Sequence, residues 1–369
     1  MFGHIPFDII LLLLVYGGAT AMELIACFYL LLRRSNVFAP DVTPSARLRR
    51  WTITFFALMF LSHMWYLPVV FFTSPDAIRQ SQLVGVLLDS MTVIPLIIVL
   101  LICMLQDRRR PLWPVAVMVA PLALGLVACL VSHSEAYMPL VLGYFLLMCI
   151  GILIFMVIAV RQYGRWLRDN YADLEHKEVW QSFVVLGIML LVYVIYSLDV
   201  GDMVYEYVME FILVVVICYL LWRVETLSDL RLPVNDAEEE TGATEDVEDN
   251  DLPPSIRNNI ELLLQQHCID EQLYLQHDLN LLQLAKAIGT NRSYLSRYFA
   301  SQGTTYNAYI NDLRVNHFVC LYHESVASKR SFTTQQLAMK SGFRSYNTFG
   351  AAFKKTMGMN TTEWMRLTK

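Results

Sequence analysis

The chain has 369 residues, 56% of them hydrophobic and only 17% charged. An ordinary soluble domain is nearer half apolar and a quarter charged, so neither a single soluble globule nor a disordered chain fits. The net charge of −5 averages three unlike stretches. Residues 1–233 hold 15 bases and 17 acids, residues 234–252 hold nine acids and no base, and residues 253–369 hold 13 bases against seven acids, a net of +6. An apolar body, an acidic tether and a basic tail imply separate jobs.

Seven apolar runs stand out, at about 8–32, 52–73, 83–105, 112–132, 139–160, 180–199 and 204–222. Each is near the roughly 20 residues that a helix needs to cross a bilayer. The first has no basic stretch before it, which argues against a cleaved leader. Bases then set the orientation. Fourteen of them follow runs one, three, five and seven (Arg33, Arg34, Arg47, Arg49, Arg50, Arg108 to Arg110, Arg161, Arg165, Arg168, Lys177, Arg223 and Arg231), whereas the alternate loops hold only Arg79. The positive-inside rule puts the N-terminus outside and the tail in the cytoplasm, as expected for a multi-pass membrane protein. The outer loops are too short for a sensing domain, so any signal is small or membrane-borne.

Ionisable groups inside apolar runs are costly and are functional candidates by default. Here they are Glu23, His63, Asp89 and Glu210. They are candidates for sensing, and packing by interhelical hydrogen bonds is the plain alternative. If they converge on a cavity, a transporter or membrane enzyme with a regulatory tail is the rival reading. Pro68, Pro95 and Pro121 are expected to kink their helices. The seven cysteines include no CxxC and no Cys/His spacing, so no metal site or disulfide framework is expected. No phosphate loop or nucleophile-base motif is present, so no catalytic residue and no cofactor is expected.

Residues 234–252 contain almost no large apolar side chain. Such a stretch cannot offset its ordering entropy and is read as a flexible linker. From Leu281 the pattern changes. LLQLAKAIG places Leu281, Leu284, Ala285 and Ile288 on one face, and Gly289 follows as a stop. RSYLSRYFA gives a second short helix, with Leu295 and Phe299 as its buried stripe. Helix, Gly-bearing turn, helix is the layout whose second helix enters a major groove. It recurs. TTQQLAMKSGF repeats the first helix and turn, with Thr333 and Gln336 spaced as a capping box. The next helix, from near Ser345, buries Phe349 and Phe353. Residues 305–323 read as one long connecting helix.

The tail resembles the DNA-binding domain of the AraC/XylS family of bacterial transcription regulators. The resemblance rests on LAKAIGTNRSYLSRYFASQG, YINDLR and LAMKSGFRSYNTFGAAFKKTMGMNTTEW, about a quarter of the chain. Seven-span versions resemble membrane-anchored regulators of Bacteroidetes-like bacteria, which implies a multi-pass protein of the bacterial inner membrane. By position, the resemblance implies that Ser293, Ser296, Arg297, Tyr346, Asn347 and Ala351 face bases. Arg297 suits guanine and Asn347 adenine, whereas Ala351 offers only methyl contact. Arg292, Lys340, Arg344, Lys354 and Lys355 are the expected phosphate contacts, with Lys329 and Arg330 as further candidates. Departures from the family pattern are Ala351, Thr361 where proline is usual, and the longer SVASKRS loop.

The sequence thus predicts an all-α protein: a seven-span bundle over 1–233, a linker over 234–252 and a double helix-turn-helix domain over 253–369. The expected partners are double-stranded promoter DNA, the lipid bilayer, a small or membrane-borne signal, RNA polymerase and a second copy as a homodimer. A receptor whose tail docks a protein in place of DNA is the remaining alternative.

Overall fold

The computed structural model describes residues 7–33, 36–40, 42–66, 72–197, 203–230, 253–329 and 332–368. The acidic linker, Pro68 and Arg330 lie outside these. Among the described residues every regular element is helical, and extended pairing is limited to the isolated bridges Pro44↔Ser228 and Tyr171↔Asn280. The chain divides into two bodies, residues 1–163 with 179–231, and residues 164–178 with 232–369.

The first body holds α1 (Phe7–Leu32), α2 (Ala46–Tyr66), α3 (Pro75–Met91), α4 (Val93–Met104), α5 (Trp113–Ser132), most of α6 (Met138–Asn170), α7 (Trp180–Ser197) and α8 (Met203–Thr226). Five helical stretches among the described residues are long and apolar enough to cross a membrane: Ile10–Leu32, Pro75–Met104, Trp113–Ser132, Met138–Asn170 and Tyr207–Thr226. The expected count was seven. The run predicted at 52–73 falls short because α2 opens with Arg47, Arg49 and Arg50 and its described part ends at Tyr66. The run at 180–199 corresponds to α7, and the run's last two residues lie outside the described ones. Large apolar side chains face outward along these helices, with Leu124 70%, Val131 76% and Leu140 72% exposed. A soluble monomer rarely leaves so much apolar surface uncovered.

The third predicted run is two helices. Pro95 has no N–H to give to the turn before it. The chain breaks at Thr92 (φ −121°, ψ −65°), whose hydroxyl donates to Leu88 O at 2.7 Å. Pro121 sits inside α5 without ending it. The start of α3 follows capping chemistry, since Ser74 accepts from the Ala77 N–H and proline occupies the first turn. The end of α8 is fastened by Glu225. Its carboxylate accepts from the Tyr29 hydroxyl at 2.8 Å and the Val37 N–H at 2.9 Å, and Asn36 donates to its backbone carbonyl.

The second body is a set of short helices around two cores. It comprises α9 (Pro254–Leu263), a π-helical turn (Leu264–Asp270), α10 (Leu281–Ala287), α11 (Arg292–Ser301), α12 (Tyr306–Ala327), α13 (Thr334–Lys340), α14 (Tyr346–Met357) and α15 (Thr361–Thr368). The first core gathers Ile260, Leu264, Cys268, Leu284, Ala285, Leu295, Phe299, Tyr306 and Ile310, and Ala172 from the segment after α6 joins it. The second gathers Val315, Phe318, Leu337, Ala338, Phe343, Phe349 and Phe353. The connecting helix α12 serves both, with Ile310 on one side of the divide and Val315 on the other.

Candidate nucleic-acid interface and a buried polar cluster

In each half of the second body a short helix, a left-handed turn and a second helix follow in order. Asn280 caps α10 through a reciprocal capping box with Gln283, and Gly289 (φ +70°) makes the turn. Asn291 then caps α11 by accepting from the Ser293 N–H. The second half repeats this. Thr333 and Gln336 form the predicted capping box on α13, Gly342 turns at φ +91°, and Ser345 caps α14. Only glycine fits at 342, because a Cβ there would lie 2.8 Å from Leu275 Cα.

The two second helices are seated by the predicted apolar pairs. Leu295 and Phe299 are buried in one core, and Phe349 and Phe353 in the other. Phe349 packs with its ring centroid 4.4 Å from that of Phe318. Removing either phenylalanine would cost about 3–5 kcal/mol. Their polar faces point away from these cores. Ser293, Arg297, Tyr346, Asn347 and Ala351 are exposed and Ser296 is half-buried.

A helix-turn-helix domain model matches residues 284–367. The tail carries a helix-turn-helix domain. Domains of this kind belong to DNA-binding transcription regulators. The match spans less than half of the chain and leaves the apolar body outside it. No curated protein and no solved structure matched the chain.

Within the helix-turn-helix domain the candidate phosphate contacts differ in their surroundings. Lys340, Lys354 and Lys355 are exposed, and the Lys340 ammonium lies 4.6 Å from the centre of the Phe332 ring. Arg344 pairs with Asp278 at 3.3 Å. Arg292 donates from Nε and Nη2 to Asn170 Oδ1, at 3.0 and 2.7 Å.

Sequence reasoning passed over four residues that organise this domain. Arg314 is fully buried on α12. Its Nε donates to Tyr274 O at 2.8 Å and its Nη2 to Gln276 O at 2.6 Å, while the guanidinium lies 5.8 Å from the centre of the Phe343 ring. Burial draws this guanidinium below the ordinary arginine value, against which the two carbonyls supply a solvation shell. Arg314 therefore joins the segment before α10 to the turn of the second half. The signal was present in YINDLR, whose arginine falls among apolar neighbours. Asn307 and Asn311 on α12, and Thr348 on α14, bond residues 171–175. No local pattern announces contacts that cross more than 130 positions.

In the first body three of the four candidate sensing residues converge. His63 Nδ1 lies 3.0 Å from Glu23 Oε2, and His63 Nε2 lies 3.6 Å from Glu210 Oε1. Glu23 is fully buried, and His63 and Glu210 nearly so. The Tyr16 hydroxyl donates to His63 O at 2.8 Å. Glu23 Oε1 and Glu210 Oε2 have no hydrogen-bond partner among the described residues. Asp89 stands apart, accepting from Ser62 at 2.8 Å and Tyr66 at 3.0 Å, and so ties α3 to the turn of α2 beside His63. Residues from α1, α2 and α8 thus meet around one imidazole.

Proposed function

We propose that this protein is a membrane-embedded, sequence-specific transcription regulator of the AraC/XylS type. In this reading the apolar body makes seven crossings of a bacterial inner membrane with the N-terminus outside. The helix-turn-helix domain then binds promoter DNA at the cytoplasmic face. The observation that carries the reading is the joining, in one chain, of membrane-length apolar helices to a duplicated helix-turn-helix with two solvent-facing second helices. Ser293, Ser296 and Arg297 on α11, and Tyr346, Asn347 and Ala351 on α14, are the proposed base-facing residues. Arg292, Lys340, Arg344, Lys354 and Lys355 are the proposed phosphate contacts, because a cation near the backbone raises affinity without reading sequence. RNA polymerase and a second copy of the chain are the proposed protein partners.

The Glu23–His63–Glu210 cluster is the proposed place where the membrane half responds to its signal. Buried carboxylate oxygens without donors are costly, and they mark a site kept for a reason other than packing. The same convergence favours a second reading, in which this half moves protons or small cations and the tail regulates. Two experiments decide. A genome-wide map of DNA bound by the tagged chain should show discrete promoter peaks that vanish when residues 253–369 are removed, and a map without peaks would overturn the regulator reading. Proton flux through liposomes carrying the purified chain, lost in Glu23→Gln, would instead establish transport.

A further inference from the structure

The segment that follows α6 is built into the helix-turn-helix domain. Ala172 is buried in its first core, and Tyr171 pairs with Asn280 in an isolated antiparallel bridge. Beyond that bridge, the domain's Asn, Arg and Thr side chains make a set of hydrogen bonds to residues 170–175 that run one way. Asn307 Nδ2 donates to Tyr171 O at 3.1 Å and to Ala172 O at 2.7 Å, and Asn311 Nδ2 donates to Ala172 O at 3.1 Å. Arg292 donates twice to Asn170 Oδ1. Thr348 donates to Glu175 Oε2 at 3.1 Å, with Asp173 Oδ1 at 3.5 Å. In each of these bonds the domain gives the hydrogen and the segment gives the oxygen. A DNA backbone, which offers phosphate and sugar oxygens, makes the same demand on a protein.

The place matters as much as the chemistry. Arg292 is the first residue of α11, and Thr348 is the third of α14. A helix-turn-helix enters the groove with the N-terminal residues of its second helix. That end also carries the partial positive charge of the helix dipole. Asn307 and Asn311 come from the first two turns of α12. The segment therefore touches the opening turn of each second helix, at Arg292 and at Thr348, while Tyr346 and Asn347 in that same turn of α14 and Arg297 further along α11 stay exposed.

We propose that residues 170–175 are a built-in mimic of the DNA backbone, and that they and a duplex compete for the donors at Arg292, Asn307, Asn311 and Thr348. Docking of the segment holds the domain in a weakly binding state without touching the base-facing side chains. Burial supports a made-to-fit seat. Asp173 is nearly fully buried, and its Oδ2 has no hydrogen-bond partner among the described residues. The inference rests on the DNA-binding reading above.

The test uses the full chain in lipid nanodiscs and two 30-base-pair duplexes, one from its own promoter region and one scrambled. Asp173→Ala combined with Glu175→Ala removes the carboxylates and leaves every domain residue in place. Two lost acceptors of modest net worth predict tighter binding by about fivefold to thirtyfold. The gain should be equal for both duplexes, since the competition is for the backbone. Hydrogen exchange supplies a readout on the unaltered chain, in which residues 170–178 should lose protection when saturating duplex is added. Unchanged or weaker binding by the double variant would overturn the proposal, as would unchanged protection with the duplex bound, and both results would leave the DNA-binding reading standing. If neither the chain nor the variant binds any duplex at low salt, the DNA-binding reading falls and this inference with it.

Discussion

Replacing Arg314 by lysine tests whether a guanidinium fork locks the two halves of the helix-turn-helix domain. The arginine gives separate hydrogens to Tyr274 O and Gln276 O, at 2.8 and 2.6 Å, from a fully buried position. A lysine keeps the charge, but its ammonium is a compact point donor on a flexible stem. It can reach one of these carbonyls and leaves the other buried without a donor, at about 1–3 kcal/mol. The ammonium is also more strongly hydrated than a guanidinium, which adds to the cost of its burial. Arg314→Lys is therefore expected to destabilise residues 253–369 by about 2–3 kcal/mol. That fragment contains both cores apart from Ala172. Urea unfolding followed by circular dichroism, with wild type and variant in parallel, measures the difference as a shift in midpoint at constant slope. Equal midpoints, to within about 0.5 kcal/mol on extrapolation, would show that the fork does no structural work; that figure is the usual noise of surface substitutions.

Other expectations follow from named contacts. Arg297→Ala should cost about 1–3 kcal/mol on the true site and relax preference at one base pair, whereas Lys354→Ala should weaken all sequences alike and lower the salt slope by about one contact. Affinities for selected and scrambled DNA across a salt series separate the two, and an equal loss on both from Arg297→Ala would make that residue a phosphate contact. Gly342→Ala should destabilise the domain by more than about 1 kcal/mol, since it meets both a left-handed φ and the Leu275 backbone; a melting temperature within a degree of wild type would refute this. Burial pushes the Cys268 thiol up to about 12, so at pH 8 it stays protonated and unreactive, whereas Cys320 is exposed. Iodoacetamide at pH 8 should label Cys320 and spare Cys268 until the domain is unfolded.

What the sequence disclosed and what it hid divide along physical lines. Caps, left-handed glycines and apolar pairs four apart are local, and each can be read within a dozen residues. That is why Thr333 with Gln336, Gly289 with Gly342, and Phe349 with Phe353 stood out. The break at Thr92 was half visible, since Pro95 was noted as a kink and the run was still taken as one helix. Among the described residues five stretches, against the seven runs expected, are long and apolar enough to cross a membrane, and the arginines that open α2 account for one of the two differences. Convergence was out of reach. Nothing near Glu23, His63 or Glu210 says that three helices bring them within 4 Å of one ring. Nor does anything near Ala172 say that a loop between apolar helices completes the core of a domain more than 100 residues away. Such contacts depend on packing between elements distant in sequence, and one sequence carries no record of that.

The connecting helix α12 has a consequence for how this domain can change over time. Its 22 residues send Tyr306 and Ile310 into one core and Val315 and Phe318 into the other. One inserted residue between Ile310 and Val315 would turn everything after it by about 100° and advance it by about 1.5 Å. Phe318 would then point away from Phe349. Three or four inserted residues come close to a whole turn and restore the facing, at the cost of moving the halves about 5 Å apart. The helix thus acts as a phase gauge. Loops on either side can grow one residue at a time, but the distance between the two halves can lengthen only in steps of a helical turn.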